Sequence, residues 1–357
     1  MSKYVRIILL SIMSIFIIFG CAEAEDPYQP EEQEESEILS INKTFHISGE
    51  IREMNVNENY IFAAENESGF SIHNRLSGET IVHITNYADT LDSGQIIPKY
   101  FENITEIEVV TDSNKVFVYD KYDTAEIYIY DISDINNVSF VTNITGDTAG
   151  YSDLRILPYG EENEYYPYSV YFAREQKFTF ANMFVYGDSY AIDIPDDGEV
   201  QLPNDITEFF LTENYTFVAG EERGLYIIDN ESKSFIQEVD TPGKALDVCY
   251  SDGYAFIADR QDGVHVIDCY NATDSELIFS YDTAGYAQSI AVKDDLLAVG
   301  SGGGGVYLFD ISDPAEMKFL DRIDDEVIGY TREVAFYGDK LYVGSRDLGI
   351  LELNIDL

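Results

Sequence analysis

The chain has 357 residues, of which 45% are hydrophobic, and its 67 acidic and 21 basic residues give a formal net charge of −46. This excess excludes a nucleic-acid binder, which needs a basic surface to displace counterions, and it disfavours anionic membrane surfaces as partners. The apolar content is sufficient for a large core. The acidity is consistent either with a salty or calcium-containing exterior or with plain solubility.

The first 21 residues have the pattern of an export signal. Two basic residues precede the apolar run IILLSIMSIFIIF, which is shorter than a membrane-spanning helix requires. The run ends at IFGC, which resembles the lipobox of prokaryotic lipoproteins, although Phe19 is bulkier than the usual residue. The resemblance implies lipidation of Cys21, with an uncleaved anchor as the alternative. Both place the protein outside the cytoplasm, in an archaeal or bacterial cell envelope.

Residues 22–36 read AEAEDPYQPEEQEES, which combines acidic charge with proline and has no apolar periodicity. This composition predicts a disordered, solvated tether. We therefore expect three segments: a signal peptide over residues 1–21, a tether over 22–36 and a folded domain over 37–357.

From residue 37 onward the chain repeats, most legibly over residues 245–282, 287–324 and 331–355. Polar and apolar residues alternate in short runs separated by glycine or aspartate, which is typical of β-strands. A residue before each third strand marks seven units of about 40 residues, a period that predicts an all-β, seven-bladed propeller. These markers are Gly69, Glu126, Asp188, Gly224, Gly263, Gly305 and Gly349.

The two ends of the folded domain complement each other. The last repeat ends at Leu357 after its third strand, whereas residues 38–48 form a predicted strand that belongs to no repeat. We expect this N-terminal strand to complete blade seven and so close the ring without a long unpaired edge.

Four predicted third strands share one pattern, an apolar run that ends in aspartate: GLYIIDN, GVHVIDC, GVYLFDIS and IYIYDIS. At these residues the chain resembles the LVIVD-repeat family of surface β-propellers. The resemblance is strong in repeats four to seven and poor in repeat three, where residues 159–188 interrupt the pattern. It implies an extracellular propeller and no particular reaction.

Turns beginning at Asp147, Asp240 and Asp282 read DTAGY, DTPGK and DTAGY, and the run Gly302 to Gly305 follows a predicted second strand. Aspartate and glycine are common in tight turns, so a structural role is expected. The glycine run lacks the lysine and the following helix of a phosphate-binding loop.

The residue inventory argues against catalysis. The chain has no tryptophan, and its four histidines are scattered without zinc-site spacing. Pairs of carboxylates could act as in glycosidases, but 67 acidic residues make such pairs unspecific. We expect no catalytic residue and no cofactor, with calcium left open and metal ligands unknown. Cys249 and Cys269 are expected to be free, buried thiols, because their predicted strands are not adjacent.

Eight N-x-S/T sequons occur, where roughly two would arise by chance from this composition. They are potential glycosylation sites on an exported protein, or simply asparagine-rich turns. The asparagines are Asn42, Asn66, Asn103, Asn137, Asn143, Asn214, Asn230 and Asn271.

These features favour a lipid-anchored, non-enzymatic binding, adhesion or scaffold module that contacts a surface protein, a glycan or an envelope polymer. The alternative is an extracellular enzyme or calcium-dependent site that uses carboxylates at the channel mouth. Four sequons are predicted on one face, which leaves the other face as the binding surface. Its candidate residues are Tyr151, Lys244, Asp247, Tyr286, Tyr330, Arg332 and Glu333. Tyrosine suits such contacts because it offers flat apolar area with a polar tip, although packing between blades is the alternative role.

Overall fold

The computed structural model describes residues 38–90, 95–121, 126–144, 150–159 and 165–357. The predicted signal, Cys21, the tether and the turn at Asp147 lie outside these ranges. No helix within them is long and apolar enough to cross a membrane.

The described residues form seven antiparallel sheets of four strands, one of which gains a fifth, and one separate hairpin. The first strand, β1 (Leu39–Phe45), belongs to the last blade. Blades one to three and the hairpin between blades one and two contain β2 (Glu53–Val56), β3 (Tyr60–Ala64), β4 (Phe70–Asn74), β5 (Thr80–Ile84), the hairpin strands β6 (Asn86–Thr90) and β7 (Ile96–Tyr100), β8 (Ile104–Val110), β9 (Lys115–Asp120), β10 (Glu126–Asp131), β11 (Ser139–Ile144), β12 (Tyr151–Pro158), β13 (Tyr168–Arg174), β14 (Lys177–Tyr186), β15 (Ser189–Asp193) and β16 (Glu199–Gln201).

Blades four to seven follow the same order, each running outward from its first strand. They contain β17 (Glu208–Leu211), β18 (Tyr215–Ala219), β19 (Leu225–Asp229), β20 (Ser234–Val239), β21 (Asp247–Ser251), β22 (Tyr254–Ala258), β23 (Val264–Asp268), β24 (Glu276–Tyr281), β25 (Ser289–Lys293), β26 (Leu296–Gly300), β27 (Val306–Asp310), β28 (Lys318–Ile323), β29 (Thr331–Tyr337), β30 (Lys340–Ser345) and β31 (Gly349–Ile355). Two 3-10 turns, Thr111–Ser113 and Pro314–Glu316, and one short helix, α1 (Asp325–Ile328), complete the described elements.

Most residues of the third strands are apolar because both faces of these strands are covered, although Ser71, His73 and His265 are buried there as well. In β27, Val306 and Leu308 pack with Leu341 and Val343 of blade seven. The intervening Tyr307 and Phe309 pack in a second cluster with Val264 and Val266 of blade five. Each blade is therefore packed between its two neighbours, and a single repeat could not fold alone because both of its faces would be uncovered.

Closure of the ring is confirmed. Strand β1 pairs antiparallel with β31, from Leu39 opposite Ile355 to Phe45 opposite Ile350. One carboxylate oxygen of Asp321 in blade six accepts hydrogen bonds from the backbone N–H groups of Ile38, at 3.0 Å, and Leu39, at 2.7 Å. The first described strand is therefore fixed to both of the last two blades.

The glycine markers are confirmed in five blades. Gly305, for example, has φ +80°, and a Cβ atom there would lie 2.0 Å from the carbonyl oxygen of Ile323. Glu126 begins the third strand of blade two as expected. The assignment of Asp188 is wrong, because it lies in the turn between β14 and β15; the turn before the third strand contains Glu175, with φ +51°. Blade three has longer strands than the other repeats, which displaces its turns.

The D-T-x-G turns have the expected structural role where they are described. Thr241 Oγ1 and the backbone N–H of Gly243 donate to the carboxylate of Asp259, at 2.9 and 2.7 Å. In the next blade the hydroxyls of Thr283 and Ser301 lie 3.0 Å apart. Each turn is thus tied to the end of a second strand. Cys249 and Cys269 are free and buried, as predicted.

Candidate functional site

A single position of the first strand is polar in all seven blades. Its partner across the first hairpin is alanine or glycine in six of them, so the crowded centre of the propeller has room for the side chain. We call these residues the channel ring: Glu53, Glu106, Asp153, Glu208, Asp247, Ser289 and Glu333.

Members of the channel ring join neighbouring blades. Glu53 accepts a hydrogen bond from the backbone N–H of Ile107 at 2.6 Å, which joins blades one and two. Asp153 accepts one from Phe209 at 3.1 Å, and Asp247 accepts one from Ile290 at 2.8 Å. Ser289 Oγ does the same for Val334 at 3.1 Å. The position therefore replaces the sheet hydrogen bonds that separate blades cannot make.

Arg155 lies inside the ring and contacts carboxylates from four blades. Its Nη1 lies 2.7 Å from Asp153, 3.3 Å from Glu53 and 3.3 Å from Glu108. Its Nη2 lies 2.6 Å from Glu208. The planar, multidentate guanidinium is suited to such a site, whereas a lysine ammonium is a compact point charge.

The channel contains a cavity of about 480 Å³, and residues from all seven blades form its wall. Five ring carboxylates line it together with Arg52 and Arg155. Part of the wall is apolar, formed by Leu157, Phe209, Phe210, Leu211, Leu246, Val248, Ile290 and Ala291. The cavity is therefore both acidic and apolar, a combination found in pockets that bind small organic groups.

Burial changes the protonation of the ring. It raises the pKa of Asp247 to about 7, and it raises the pKa values of Glu106, Glu208 and Glu333 well above their usual range. Burial alone would lower the pKa of Arg155, but the surrounding carboxylates raise it instead. Arg155 opposes the rise in the pKa of Glu53. These four carboxyl groups therefore retain protons to higher pH than free carboxyl groups do.

Positive charge is unevenly distributed around the ring. Arg155 contacts the carboxylates of blades one to four, whereas no described cation forms an ion pair with Asp247 or Glu333. Asp247 is held by two backbone N–H groups, while Glu333 has no hydrogen-bond or ion-pair partner within the described residues. The side of the cavity formed by blades five to seven is thus the less neutralised one.

A tyrosine-bearing face adjoins the cavity. Gln288, in the cavity wall, donates a hydrogen bond to the hydroxyl of Tyr330 at 2.8 Å. Arg332 and Arg346 lie over the Tyr330 ring, at 5.1 and 4.7 Å from its centre. Tyr286 is 46% exposed and lies under Arg260 at 5.3 Å. We call Tyr286, Tyr330 and their three arginines the tyrosine face.

The LVIVD repeat family model matches residues 208–238, 242–283 and 284–325. The model thus matches blades four, five and six, which we call the LVIVD blades. The matched ranges begin at or just before the first strand of each of these blades and end within or just after the fourth. No curated protein matches the chain.

Solved propellers share the fold at low sequence identity. The structure of U3-55K is similar with a TM-score of 0.64 at 12% identity, covering 89% of this chain and 98% of that one. The WD40 repeats of RRP9 give 0.63 at 13%, with the same two coverages. The β-propeller domain of Cps50 (Swd1) from Myceliophteria thermophila gives 0.63 at 9%, covering 89% and 100%. These likenesses show the propeller fold alone.

The LVIVD blades and blade seven contain most of the residues singled out in the sequence. Tyr286, Tyr330 and Arg332 form part of the tyrosine face, and Asp247 and Glu333 belong to the channel ring. Lys244 forms a 2.7 Å ion pair with Glu221. Tyr151 is only 1% exposed and stacks between Tyr119 and Phe172, so its role is the packing alternative.

Six site residues could not be singled out from the sequence: Glu53, Glu106, Asp153, Arg155, Glu208 and Ser289. The signal was present: each LVIVD blade has a polar residue followed by an apolar one early in its first strand, as in DV, SI and EF. Only the radial arrangement of blades turns this repeated pair into a ring.

The sequon asparagines lie on both faces of the propeller and in its outer strands. Asn137, Asn230 and Asn271 lie between third and fourth strands, and Asn214 lies between a first and a second strand. Asn66 and Asn103 lie on the side of the tyrosine face, whereas Asn42 and Asn143 lie within outer strands. The Nδ2 group of Asn230 donates to the carbonyl of Thr212 at 2.8 Å, and a glycan there would replace one of its two hydrogens.

A metal site is not evident in the described part of the chain. No group of three or more His, Cys, Asp or Glu side chains there converges as metal ligands would. The ring carboxylates instead point into the channel from different blades around its circumference.

Proposed function

We propose that this protein is a lipid-anchored, non-enzymatic binding module of the cell envelope that docks a surface protein, glycan or envelope polymer on its tyrosine face. The observation that carries the proposal is the tyrosine face itself, where exposed Tyr286 and partly exposed Tyr330 lie under arginines next to a cavity. Tyrosine and arginine are the side chains most enriched at the energetic centres of interfaces.

The contacts of the channel ring support a binding role. Glu53, Asp153 and Asp247 accept backbone hydrogen bonds from the next blade. This structural role accounts for a recurring acid in the first strand without a reaction. The competing function, an enzyme or calcium site, would use the same carboxylates, and stoichiometric calcium in the purified protein would favour it.

Anchoring through Cys21 rests on the lipobox resemblance. Replacing Cys21 with serine should move the protein from the membrane fraction to the soluble fraction of its native host. Membrane retention after cleavage of the signal would contradict lipidation.

The binding face can be tested by substitution. We expect Tyr286→Ala with Tyr330→Ala to reduce capture of native envelope components at least tenfold, because two flat contact surfaces are lost, while the melting temperature changes by only a few degrees. The measurement is quantitative mass spectrometry of material captured by the immobilised protein.

A matched control is Tyr270→Ala. Tyr270 is 71% exposed and lies between the third and fourth strands of blade five, on the opposite face. Equal loss of capture in the control and the double variant would place the contact elsewhere, as would unchanged capture by the double variant.

A further inference from the structure

We propose that the channel cavity binds an organic cation, an ammonium or guanidinium group on an apolar stem, at Glu333 and Asp247. This inference rests on the proposed function, because the cavity adjoins the tyrosine face and would receive a group presented there. The two sources of such a group are a free polyamine and a basic side chain of a docked partner.

The size and lining of the cavity suit an organic cation with an apolar stem. A volume of about 480 Å³ lies within the range of small-molecule pockets. Five carboxylates contribute to its polar lining, and Val248, Ile290 and Ala291 provide apolar wall beside Asp247. An apolar stem can therefore be buried while its cationic head reaches a carboxylate.

The same channel already holds a guanidinium group, that of Arg155. Arg155 makes contacts of 2.6 to 3.3 Å with four carboxylates, each from a different blade. The chain thus demonstrates that this ring can hold a cation with several N–H donors. A second cation on the other side would repeat the arrangement.

Asp247 and Glu333, on the side of the cavity formed by blades five to seven, form no ion pair with a described cation. Glu333 lines the cavity and has no hydrogen-bond or ion-pair partner among the described residues. The charged groups that act on it are Asp247, Glu53, Arg155 and Asp153, and three of these four are acids. A half-buried carboxylate surrounded by acids favours the uptake of either a proton or a cation.

The arrangement of the carboxylates favours an organic cation over a metal ion. Metal binding by protein oxygens needs several ligands within about 2.6 Å of one point. No three described carboxylates converge in this way. An organic cation instead needs carboxylates only at hydrogen-bond distance from its N–H donors, as the Nη atoms of Arg155 have at 2.6 to 3.3 Å.

Calorimetric titration of the full-length protein at pH 7 tests the inference, with spermidine as one probe and the blocked peptide Gly-Arg-Gly as the other. We expect saturable binding of at least one probe at one site per chain. Glu333→Gln, and separately Asp247→Asn, should weaken it at least tenfold. Spermidine binding alone indicates a polyamine site, and peptide binding alone indicates a partner's side chain.

Two controls give the result its meaning. Asp294→Asn removes the same charge from an exposed residue, which is paired only with Lys293, and should leave binding unchanged. Titration in buffers with different ionisation heats should show proton release on binding, because the cation displaces protons from the ring. Magnesium chloride at matched ionic strength should not compete.

Several outcomes would overturn the inference. Neither probe binding at millimolar concentration would do so, and so would equal weakening by Asp294→Asn or competition by magnesium, which would indicate a general counterion effect. If the tyrosine variants lose capture while neither probe binds, only the cavity inference fails. If the probes bind while capture is independent of the tyrosines, only the proposed face fails.

Discussion

The channel-ring position shows how a polar residue in the first strand can both join neighbouring blades and line the channel. First strands converge at the centre, where separate sheets leave backbone N–H groups without a sheet partner. An acid or serine at this position accepts from the next blade, as Glu53 does for Ile107. The cost is a set of closely spaced carboxylates, which Arg155 offsets on one side only.

Arg155 is the residue whose loss should be most damaging. We expect Arg155→Met to lower the free energy of unfolding by about 3 kcal/mol at pH 7, because its removal leaves several buried carboxylates without a counter-charge. The loss should be smaller at pH 5, because burial raises the pKa values of Glu108 and Glu208 well above their usual range and their protonation removes unmatched charge. Urea denaturation at the two pH values measures both effects.

The matched control is Arg223→Met, whose side chain is 55% exposed and forms an ion pair with Glu238 at 3.2 Å. It should change stability by less than about 0.5 kcal/mol. Arg155→Met with a similarly small effect at pH 7 would show that solvent in the channel already screens the ring.

At the residue scale the sequence revealed part of the site. Asp247, Arg332 and Glu333 could be singled out because they closely follow recognisable turns. Arg155 could not, since its four partners come from residues 53 to 208 and meet only in the closed ring. Local patterns identify strands and turns, whereas such contacts depend on the radial packing of blades.

At the scale of elements, blade three departs most from the repeat. Its strand β14 has ten residues, against five in β27 of blade six, and it also pairs with the extra strand β16. The marker glycine is absent, so periodicity alone placed Asp188 one turn too late. The hairpin β6–β7 was not predicted either, because an insertion between blades breaks the period without a signal of its own.

The closing strand is the element whose removal has the clearest consequence. Deleting residues 38–48 removes β1 and exposes the edge of β31 along the six residue pairs that it now forms. We expect the melting temperature to fall by more than 10 °C and the protein to associate through the free edge. Thermal unfolding and light scattering measure the two effects.

A protein that begins at residue 37 is the matched control, because it keeps β1. It should unfold like the longer chain and remain monomeric. A shortened protein without residues 38–48 that matched this control in both measurements would show that the seam contributes little.

At the scale of the molecule, most of the fold could be predicted from the sequence because every blade is buried between two others. Both faces of each third strand are therefore covered, and its largely apolar sequence can be recognised in most of the repeats. The centre of the propeller differs, because it brings together acidic residues that the sequence alone would place in solvent. The raised pKa values of the channel-ring carboxyl groups could therefore be inferred only from the structure.

The channel also predicts how the whole molecule responds to pH. The pKa values of Asp247, at about 7, and of Glu106, Glu208 and Glu333 are raised by burial. The folded state then binds more protons than the unfolded chain, so its stability should fall as pH rises from about 5 to about 8. A net charge of −46 acts in the same direction, because repulsion grows as carboxylates ionise.

Glu333→Gln should flatten this decline in stability by up to about 1.4 kcal/mol per pH unit, the value for one proton, whereas Asp294→Asn should not. The measurement is the free energy of unfolding in urea across this range at constant ionic strength. Stability that increased towards pH 8, or an equal effect of the two substitutions, would mean that the ring is ionised in the folded protein.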